Sequence, residues 1–207
     1  MSEQDHQPVA VPVDPGRLRG EVRIKYDEVA ADPTREYHFF TGRRAAEHVG
    51  YASHLIESLP GTSLDAFAGV ANPFHWGLPA PGERVIDVGS GAGTDSLIAA
   101  AAVAPDGEVM GLDMTDSMLE RARAGAESIG LSNVEFAKGL AEDLPVPDDW
   151  ADVVISNGVM NLIPDKVGAL REMHRVLKPG GRLQLADIYV ERPVPDGARA
   201  DIDLWTG

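Results

Sequence analysis

Three closely spaced glycines follow an apolar stretch in a way that suits ligand binding. The stretch Arg84 to Val88 has the composition of a buried strand, glycines stand at positions 89, 91 and 93, and a helical pattern begins at Thr94. Glycine lets a ligand approach the backbone closely, and the first turn of a helix presents free N–H groups and a partial positive charge. The segment therefore predicts a site for an anionic or nucleotide-like ligand.

Two carboxylates narrow the choice of ligand. Asp87 lies just before the turn, and Asp113 follows Gly93 by twenty residues, at the end of the next strand-like stretch. A carboxylate at this second position can accept hydrogen bonds from both hydroxyls of a ribose. The dinucleotide fingerprint Gly-x-Gly-x-x-Gly would need its third glycine at position 94, which is Thr94, so the spacing differs from that of NAD-binding turns.

The pattern Asp-x-Gly-x-Gly-x-Gly with its distant aspartate resembles the first two motifs of class I S-adenosylmethionine-dependent methyltransferases. Over about residues 68 to 205 the chain is similar to bacterial arsenite methyltransferases and, more loosely, to ubiquinone and menaquinone methyltransferases. The segments that carry this similarity are GVANPF, DVGSGAGTDS, GLDMT, SNVEF, ISNGVMNLIPDK and RVLKPGGRLQLADI. The resemblance implies a Rossmann-like fold, S-adenosylmethionine as cofactor and S-adenosylhomocysteine as product.

Cofactor-binding residues are expected in four segments of the chain. In relatives the loop from Gly139 to Pro145 lines the adenine, which implies that Leu140 covers the ring while Ala141 and Glu142 meet its edge. Polar residues after the fourth strand are candidates for holding the methionine part or the substrate. The full set expected to bind the cofactor is Asp87, Gly89, Ser90, Gly91, Gly93, Asp113, Met114, Leu140, Ala141, Glu142, Ser156 and Asn157, with Asn161 as a further substrate candidate.

No catalytic residue is nominated. A sulfonium methyl group is already activated, so alignment and exclusion of water can supply most of the acceleration without a general base. Asp187, in the predicted fifth strand, is either a buried, paired carboxylate or a group that lines the site. His75 lies beside Trp76, and the histidines as a set show no metal-ligand spacing, so we expect no metal site.

The resemblance to arsenite enzymes ends at the methyl acceptor. Those enzymes hold trivalent arsenic with cysteine thiolates, and two of the corresponding positions here are Val70 and Gly158. The chain contains no cysteine, and valine and glycine cannot replace thiolate ligands. We therefore expect another small-molecule acceptor. Two alternatives stay open: a non-catalytic module that binds S-adenosylmethionine, and an arsenite methyltransferase.

The amino-acid composition limits which binding partners and which cellular location we expect. With 18 basic and 33 acidic residues the formal charge is −15, which argues against a nucleic-acid surface. Neither a membrane span of about 18 apolar residues nor a signal peptide is evident, so a cytoplasmic enzyme is expected.

Strand-like and helix-like segments alternate after position 84, which predicts an α/β fold with a doubly wound, mostly parallel sheet covered on both faces. Ligands of such sheets bind beyond the carboxyl ends of the strands. The expected strand order is 3-2-1-4-5. The predicted strands lie near 85–88, 109–112, 134–137, 151–156 and 182–190, and the predicted helices near 94–104, 116–129 and 165–177.

Three regions are expected along the chain: a flexible lead-in over 1–20, a helical extension over 21–80, and the methyltransferase domain over 81–207. The extension is predicted to hold one helix from Glu21 to about Ala31, a second helical pattern that runs to Leu59, and an irregular segment over 60–83. It either packs on the main domain or forms a lid over the cofactor. In the second case Tyr26, Tyr37 or Phe39 would lie near the adenosyl or methyl end.

The fifth strand is expected at an edge of the sheet. Methyltransferases of this class normally cover that edge with two further strands, and only seventeen residues follow Val190. An open apolar edge is a template for pairing. We therefore expect either a fragment of a longer product or a homodimer in which a second copy covers the edge, and we expect methyl transfer by this chain to be weak or absent.

Overall fold

The computed structural model describes residues 13–195, 197, 201 and 205, and its centre is a single parallel sheet. The strands lie in the order β3-β2-β1-β4-β5, which confirms the predicted α/β fold and its strand order. Their bounds are Arg84–Val88 (β1), Glu108–Asp113 (β2), Val134–Lys138 (β3), Ala151–Asn157 (β4) and Leu177–Ala186 (β5).

Helices cover both faces of this sheet. Short helices of the N-terminal region pack with α5 on one face, α7 packs on the other, and α6 packs beside α5. The helices are Pro15–Ala31 (α1), Gly42–His48 (α2), Ser53–Glu57 (α3), Gly61–Leu64 (α4), Thr94–Val103 (α5), Asp116–Ser128 (α6) and Lys166–Val176 (α7), with 3-10 turns at Pro73–Trp76 and Met160–Leu162. In the part of the chain that is described, no helix is both long and apolar enough to cross a membrane.

The central strand, β1, shows why both faces of the sheet must be covered by helices. Val85 is buried in the cluster on one face, whereas Ile86 and Val88 are buried in the cluster on the other. Successive side chains of a strand point to opposite faces, so an almost continuous apolar strand needs an apolar layer on each side. The same register brings the carboxyl ends of β1, β2 and β4 to one edge of the sheet.

Helix α1 begins earlier than predicted. It starts at Pro15 rather than near Glu21, so residues 15–20 are helical and not part of a flexible lead-in. The Asp14 side chain accepts a hydrogen bond from the Arg17 N–H at 2.7 Å, and proline is well suited to the first turn. Leu18, one turn further on, is fully buried. The rest of the predicted lead-in, residues 1–12, lies outside the described residues.

The second helical pattern is also shorter than predicted. Instead of one helix to Leu59, the chain forms α2 and α3 with a break between them. Gly50 in this break has a φ of +86°, a conformation that ends helices and favours glycine. The break turns Tyr51 into the core, where the ring packs edge-on against Phe67 at 5.3 Å.

Strand β5 is displaced toward the N-terminus from the predicted range. It begins at Leu177 and ends at Ala186, so Asp187 lies just beyond the strand and not within it. A bulge opposite Ala151 and Val153 accommodates the Pro-Gly-Gly segment, and Gly180 adopts a φ of +87° there. Within the described ranges no strand pairs with the outer edge of β5, and Leu183 and Leu185 are 37% and 41% exposed.

Candidate cofactor-binding site

A cavity of about 1060 Å³, open to solvent at its mouth, lies at the carboxyl ends of the strands. Its floor is the glycine turn after β1, and its sides are the segments that follow β2, β3 and β4. Helix α1 contributes Arg19, Val22 and Tyr26, and the loop before the 3-10 turn contributes residues 66–69. The cavity therefore runs from the glycine turn to the loop after β3, and its lining comes from several separate segments of the chain.

Most of the predicted cofactor residues meet at this cavity. Those that line it are Asp87, Gly89, Ser90, Gly91, Asp113, Met114, Leu140, Ala141, Glu142 and Asn157. Gly93 and Ser156 do not. A Cβ atom on Gly93 would lie 2.9 Å from the Cβ of Ala122, so this glycine allows α5 and α6 to pack. The Ser156 hydroxyl is buried and donates to the Val88 carbonyl at 2.8 Å, so it joins β4 to β1.

The backbone of the glycine turn is accessible from the cavity. Gly89 and Gly91 have φ values of +75° and +51°. A Cβ on Gly89 would overlap the Val159 side chain, whereas one on Gly91 would meet no protein atom within 4 Å. Between them the buried Ser90 Oγ has no hydrogen-bond partner among the described residues. An unpaired buried hydroxyl is costly, so this group is suited to a ligand.

Gly91→Ala is expected to weaken cofactor binding, because Gly91 lines the cavity and the new methyl group would occupy cavity space. Overpacking costs about 1–3 kcal/mol, or roughly fivefold or more in Kd. Gly130→Ala is the matched control, since Gly130 also has a positive φ, +70°, with no atom within 4 Å of a Cβ, but lies away from the cavity. Both variants should lose about 1–2 kcal/mol of stability. Calorimetry showing equal cofactor affinity in the two variants would contradict the assignment of Gly91.

Asp113 is fixed at the cavity wall by backbone bonds. Its Oδ2 accepts from the Gly91 N–H at 2.9 Å, and its Oδ1 accepts from the Thr115 N–H at 2.8 Å. Burial raises the pKa of Asp113, while these bonds act in the opposite direction. A carboxylate oxygen accepts more than one hydrogen bond. The preorganised group can therefore still receive both hydroxyls of a ribose.

Two further carboxylates are buried beside the turn. Asp87 accepts from the Ser96 hydroxyl at 2.6 Å, and Asp95 accepts from the Tyr51 hydroxyl at 2.5 Å and from the Asn157 amide at 3.0 Å. Burial raises the pKa of both carboxyls, and the charge of Asp95 raises that of Asp87 further. Sequence reasoning missed Asp95, although its place in the first turn of α5 directly after Gly93 was a usable signal.

The charges around the cavity distinguish between classes of ligand. Four acids line it, Asp87, Asp95, Asp113 and Glu142, against one base, Arg19, among the described lining residues. Arg19 is already paired with Glu142 at 2.9 Å. Burial makes the three aspartates costly to ionise; a cationic ligand offsets that cost, whereas an anionic ligand adds to it. The walls therefore disfavour a phosphate-bearing ligand, and the anionic alternative inferred from the turn alone is not supported.

This donor set fits S-adenosylmethionine, which carries a ribose, an adenine, and two cationic groups, an ammonium and a sulfonium. The buried acids match the cations, Asp113 matches the ribose, and the unpaired Ser90 hydroxyl has a polar ligand to contact. The apolar side chains of Leu112, Met118 and Leu140 line the same cavity and provide surfaces for a flat ring.

Asn157 lines the cavity, but its hydrogen bonds are made to the protein. Its Oδ1 accepts from the N–H groups of Val70 and Ala71 at 2.9 and 3.2 Å, and its Nδ2 lies 2.8 Å from the Ala71 carbonyl and 3.0 Å from Asp95. These contacts favour a positioning role, in which Asn157 holds the loop that closes one side of the cavity. The predicted role in holding the methionine part is not evident in these contacts.

Helix α1 contributes Arg19, Val22 and Tyr26 to the wall of the cavity, an arrangement that is compatible with the lid alternative. Tyr26 lines it, and burial together with the charges of Asp113 and Asp187 raises the pKa of this phenol to about 12. The Tyr26 hydroxyl is therefore protonated at neutral pH. Phe39 stacks between Tyr26 and Tyr37, with ring centroids 6.4 and 5.5 Å away, but Tyr37 lines neither this cavity nor its neighbour.

A second, smaller pocket of about 490 Å³ adjoins the cavity. The two share Val22, Tyr26, Ala68, Gly158 and Leu162, and the pocket is completed by Lys25, Phe39, Val70, Asn161, Ile188 and Trp205. It contains Val70 and Gly158, the two positions at which the resemblance to arsenite enzymes implied cysteines. These positions are adjacent, since a Cβ on Gly158 would lie 3.2 Å from the Cγ1 of Val70.

Of the remaining candidate residues, Asn161 and Asp187 lie at or beside this pocket, and His75 does not. Asn161 lines the pocket, and its N–H lies 3.3 Å from both carboxylate oxygens of Asp187, which also accepts from the Ile188 N–H at 2.7 Å. His75 is exposed on its 3-10 turn and lines neither space. Within the described ranges no group of three or more histidine or acidic side chains is arranged to hold a metal ion.

Comparison with known proteins agrees with this geometry. A family model described as a methyltransferase domain matches residues 79–206, and the chain belongs to this family. It is 41% identical to the arsenite methyltransferase of Halobacterium salinarum over 81% of this chain and 42% of that protein. It is 43% identical to the demethylmenaquinone methyltransferase of Listeria welshimeri over 51% of this chain and 45% of that protein.

Among solved structures, an arsenic(III) S-adenosylmethionine methyltransferase from Chlamydomonas reinhardtii superposes with a TM-score of 0.59 at 36% identity. The match covers 75% of this chain and 51% of that chain. The likeness agrees with the class I methyltransferase fold that the strand order defines. The chain spans about two fifths to one half of the length of these relatives.

Proposed function

We propose that the protein transfers the methyl group of S-adenosylmethionine to a small-molecule acceptor. The observation that carries this proposal is the acidic cavity at the carboxyl ends of the strands, which joins a second pocket through shared residues. A cationic nucleoside suits the first space and an acceptor suits the second. Membership of the methyltransferase domain family supports the same reaction.

Different residues around the cavity bind different parts of the cofactor. Asp113 binds the ribose, the loop residues Leu140, Ala141 and Glu142 surround the adenine, and the side around Asp87 and Ser90 receives the methionine end. When bound, S-adenosylmethionine supplies an electrophilic methyl group on a sulfonium, and S-adenosylhomocysteine remains after transfer. The protein aligns the two substrates and excludes water, which can account for most of the acceleration.

The α1 lid is the element that excludes water in this scheme. The Arg19–Glu142 ion pair joins α1 to the loop after β3, and Tyr26 closes the space between the two pockets. The raised pKa of Tyr26 keeps its hydroxyl protonated, so it acts as a neutral wall or hydrogen-bond donor and not as a base. No general base is assigned.

Calorimetry with S-adenosylmethionine, S-adenosylhomocysteine and NAD, followed by transfer of a labelled methyl group to a panel of hydroxyl, amine, thiol and carbon acceptors, tests the proposal. The first two ligands should bind and NAD should not, because a pyrophosphate would face four acidic side chains. Preference for NAD would overturn the assignment. Binding of S-adenosylmethionine without transfer to any acceptor would favour a non-catalytic binding module.

The proposal extends to partners and location. The acidic composition, with a formal charge of −15, supports a small molecule rather than a nucleic acid as substrate. The exposed apolar residues of β5 support a second copy at that edge, and light scattering that gives the mass of a monomer would contradict the homodimer. A cytoplasmic location stays a prediction from the sequence.

A further inference from the structure

The second pocket differs in chemical character from the cofactor cavity. Its described lining is apolar and aromatic apart from Lys25 and Asn161, and Lys25 is the charged side chain in that lining. Phe39 and Tyr26 lie on one side, where their rings stack at 6.4 Å. Val70 lies against Gly158 at the boundary with the cofactor cavity. Such a lining suits a flat, apolar ligand that has one negative group.

Lys25 is the lysine whose charge is available to a ligand. Lys138 is paired with Asp116 at 2.6 Å, Lys178 is paired with Asp152 at 2.7 Å, and Lys166 donates to three carbonyls of the 3-10 turn that follows β4. Within the described ranges Lys25 has no hydrogen bond or ion pair, although it is half-buried. A partly desolvated, unpaired ammonium binds a carboxylate more strongly than an exposed one does.

Asp187 lies beside this pocket, because it contacts the lining residues Asn161 and Ile188, and its charge opposes the binding of an anionic ligand. Its carboxylate accepts from the N–H groups of Asn161 and Ile188, and it does not line the pocket. These hydrogen bonds to backbone N–H groups partly offset the negative charge of Asp187. Lys25 lines the second pocket, whereas the four acidic residues that line the cofactor cavity do not.

We propose that the second pocket binds an aromatic acid as the methyl acceptor. The ring packs among Phe39, Tyr26 and Val70, the carboxylate pairs with Lys25, and the nucleophilic group lies at the boundary that the two pockets share. This inference rests on the proposed function. For a hydroxyl acceptor, an oxygen lone pair forms the new bond to the methyl carbon, the pair of the carbon–sulfur bond stays on sulfur, and the hydroxyl proton passes to water.

Two matched probes test the inference: 3-hydroxy-2-naphthoate, and 2-naphthol, which has the same rings and hydroxyl without the carboxylate. Each is titrated calorimetrically into the full chain, with and without S-adenosylhomocysteine. The acid should bind about tenfold or more tightly than the naphthol, since a charge-assisted bond contributes that much. Equal affinities, or no binding of the acid, would overturn the proposal.

Substitutions test whether the second pocket causes the preference for the acid over the naphthol. Lys25→Gln should weaken binding of the acid about tenfold and change that of the naphthol less than about twofold, whereas Lys138→Gln, which alters a lysine outside both pockets, should change neither. Val70→Phe should weaken both probes, because Val70 lines the second pocket. An unchanged acid-to-naphthol ratio in Lys25→Gln contradicts the inference.

The same titrations separate this inference from the proposed function. If the parent chain fails to bind S-adenosylhomocysteine but binds the acid through Lys25, the methyltransferase proposal is wrong and the pocket assignment stands. If it binds S-adenosylhomocysteine but shows no preference for the acid, the function stands and the substrate class is wrong.

Discussion

Asp113→Ala is expected to weaken binding of S-adenosylmethionine by about 100-fold or more. The carboxylate is held by the N–H groups of Gly91 and Thr115 and faces the cavity, so it is preorganised for two ribose hydroxyls. Each charge-assisted hydrogen bond contributes roughly 1.5–3 kcal/mol. The loss of two corresponds to roughly two to four orders of magnitude in Kd.

The control is Asp116→Ala, which removes an exposed acid three positions later that pairs with Lys138 and does not line the cavity. Calorimetry of parent and variants, with thermal unfolding to verify folding, distinguishes ligand contact from a general effect. Asp113→Asn keeps one acceptor and should lie between parent and alanine variant. An alanine variant that binds as tightly as the parent would show that the ribose lies elsewhere.

Arsenite is expected neither to bind tightly nor to be methylated, even with added glutathione. The chain has no cysteine, and Val70 and Gly158, the two positions at which the resemblance to arsenite enzymes implied thiolates, lie against each other in the second pocket. Soft thiolates cannot be replaced by a hydrocarbon side chain and a hydrogen atom. Methylarsenicals above a no-protein control would contradict this expectation and would make the named activity of the relatives the more suitable assignment.

A reciprocal variant tests whether the geometry of the pocket is otherwise intact. Val70→Cys with Gly158→Cys would place two thiols beside each other, since a Cβ on Gly158 lies 3.2 Å from Val70. Gly158 has a φ of +72°, so the substitution costs about 1–2 kcal/mol of stability. We expect this double variant to bind arsenite where the parent does not. The matched control is Val70→Ser with Gly158→Ser, which carries the same backbone cost without sulfur.

The pattern of local spacing was enough to predict the frame of the site. The strand before Gly89, the twenty residues from Gly93 to Asp113, and the alternation of strands and helices all depend on residues near each other in sequence. Side-chain periodicity acts over that range, which is why the strands and helices were predicted near their observed positions and why most of the residues expected to bind the cofactor line the cavity. The errors lay at boundaries, where the Asp14 cap and the Pro-Gly-Gly bulge determine the limits of α1 and β5.

Only the tertiary structure determined what the site is suited to bind. The acidic character of the cavity comes from Asp95 and Glu142 meeting Asp87 and Asp113, and Asp95 is held there by Tyr51, 44 residues away in sequence. Asn157 supports a loop 86 residues away, a role that its position at the end of a strand does not reveal. The sequence by itself therefore determined the fold and many of the residues that line the cavity. The charge balance of the cavity and the adjoining, lysine-bearing second pocket required the folded chain, because residues that are remote in sequence supply them.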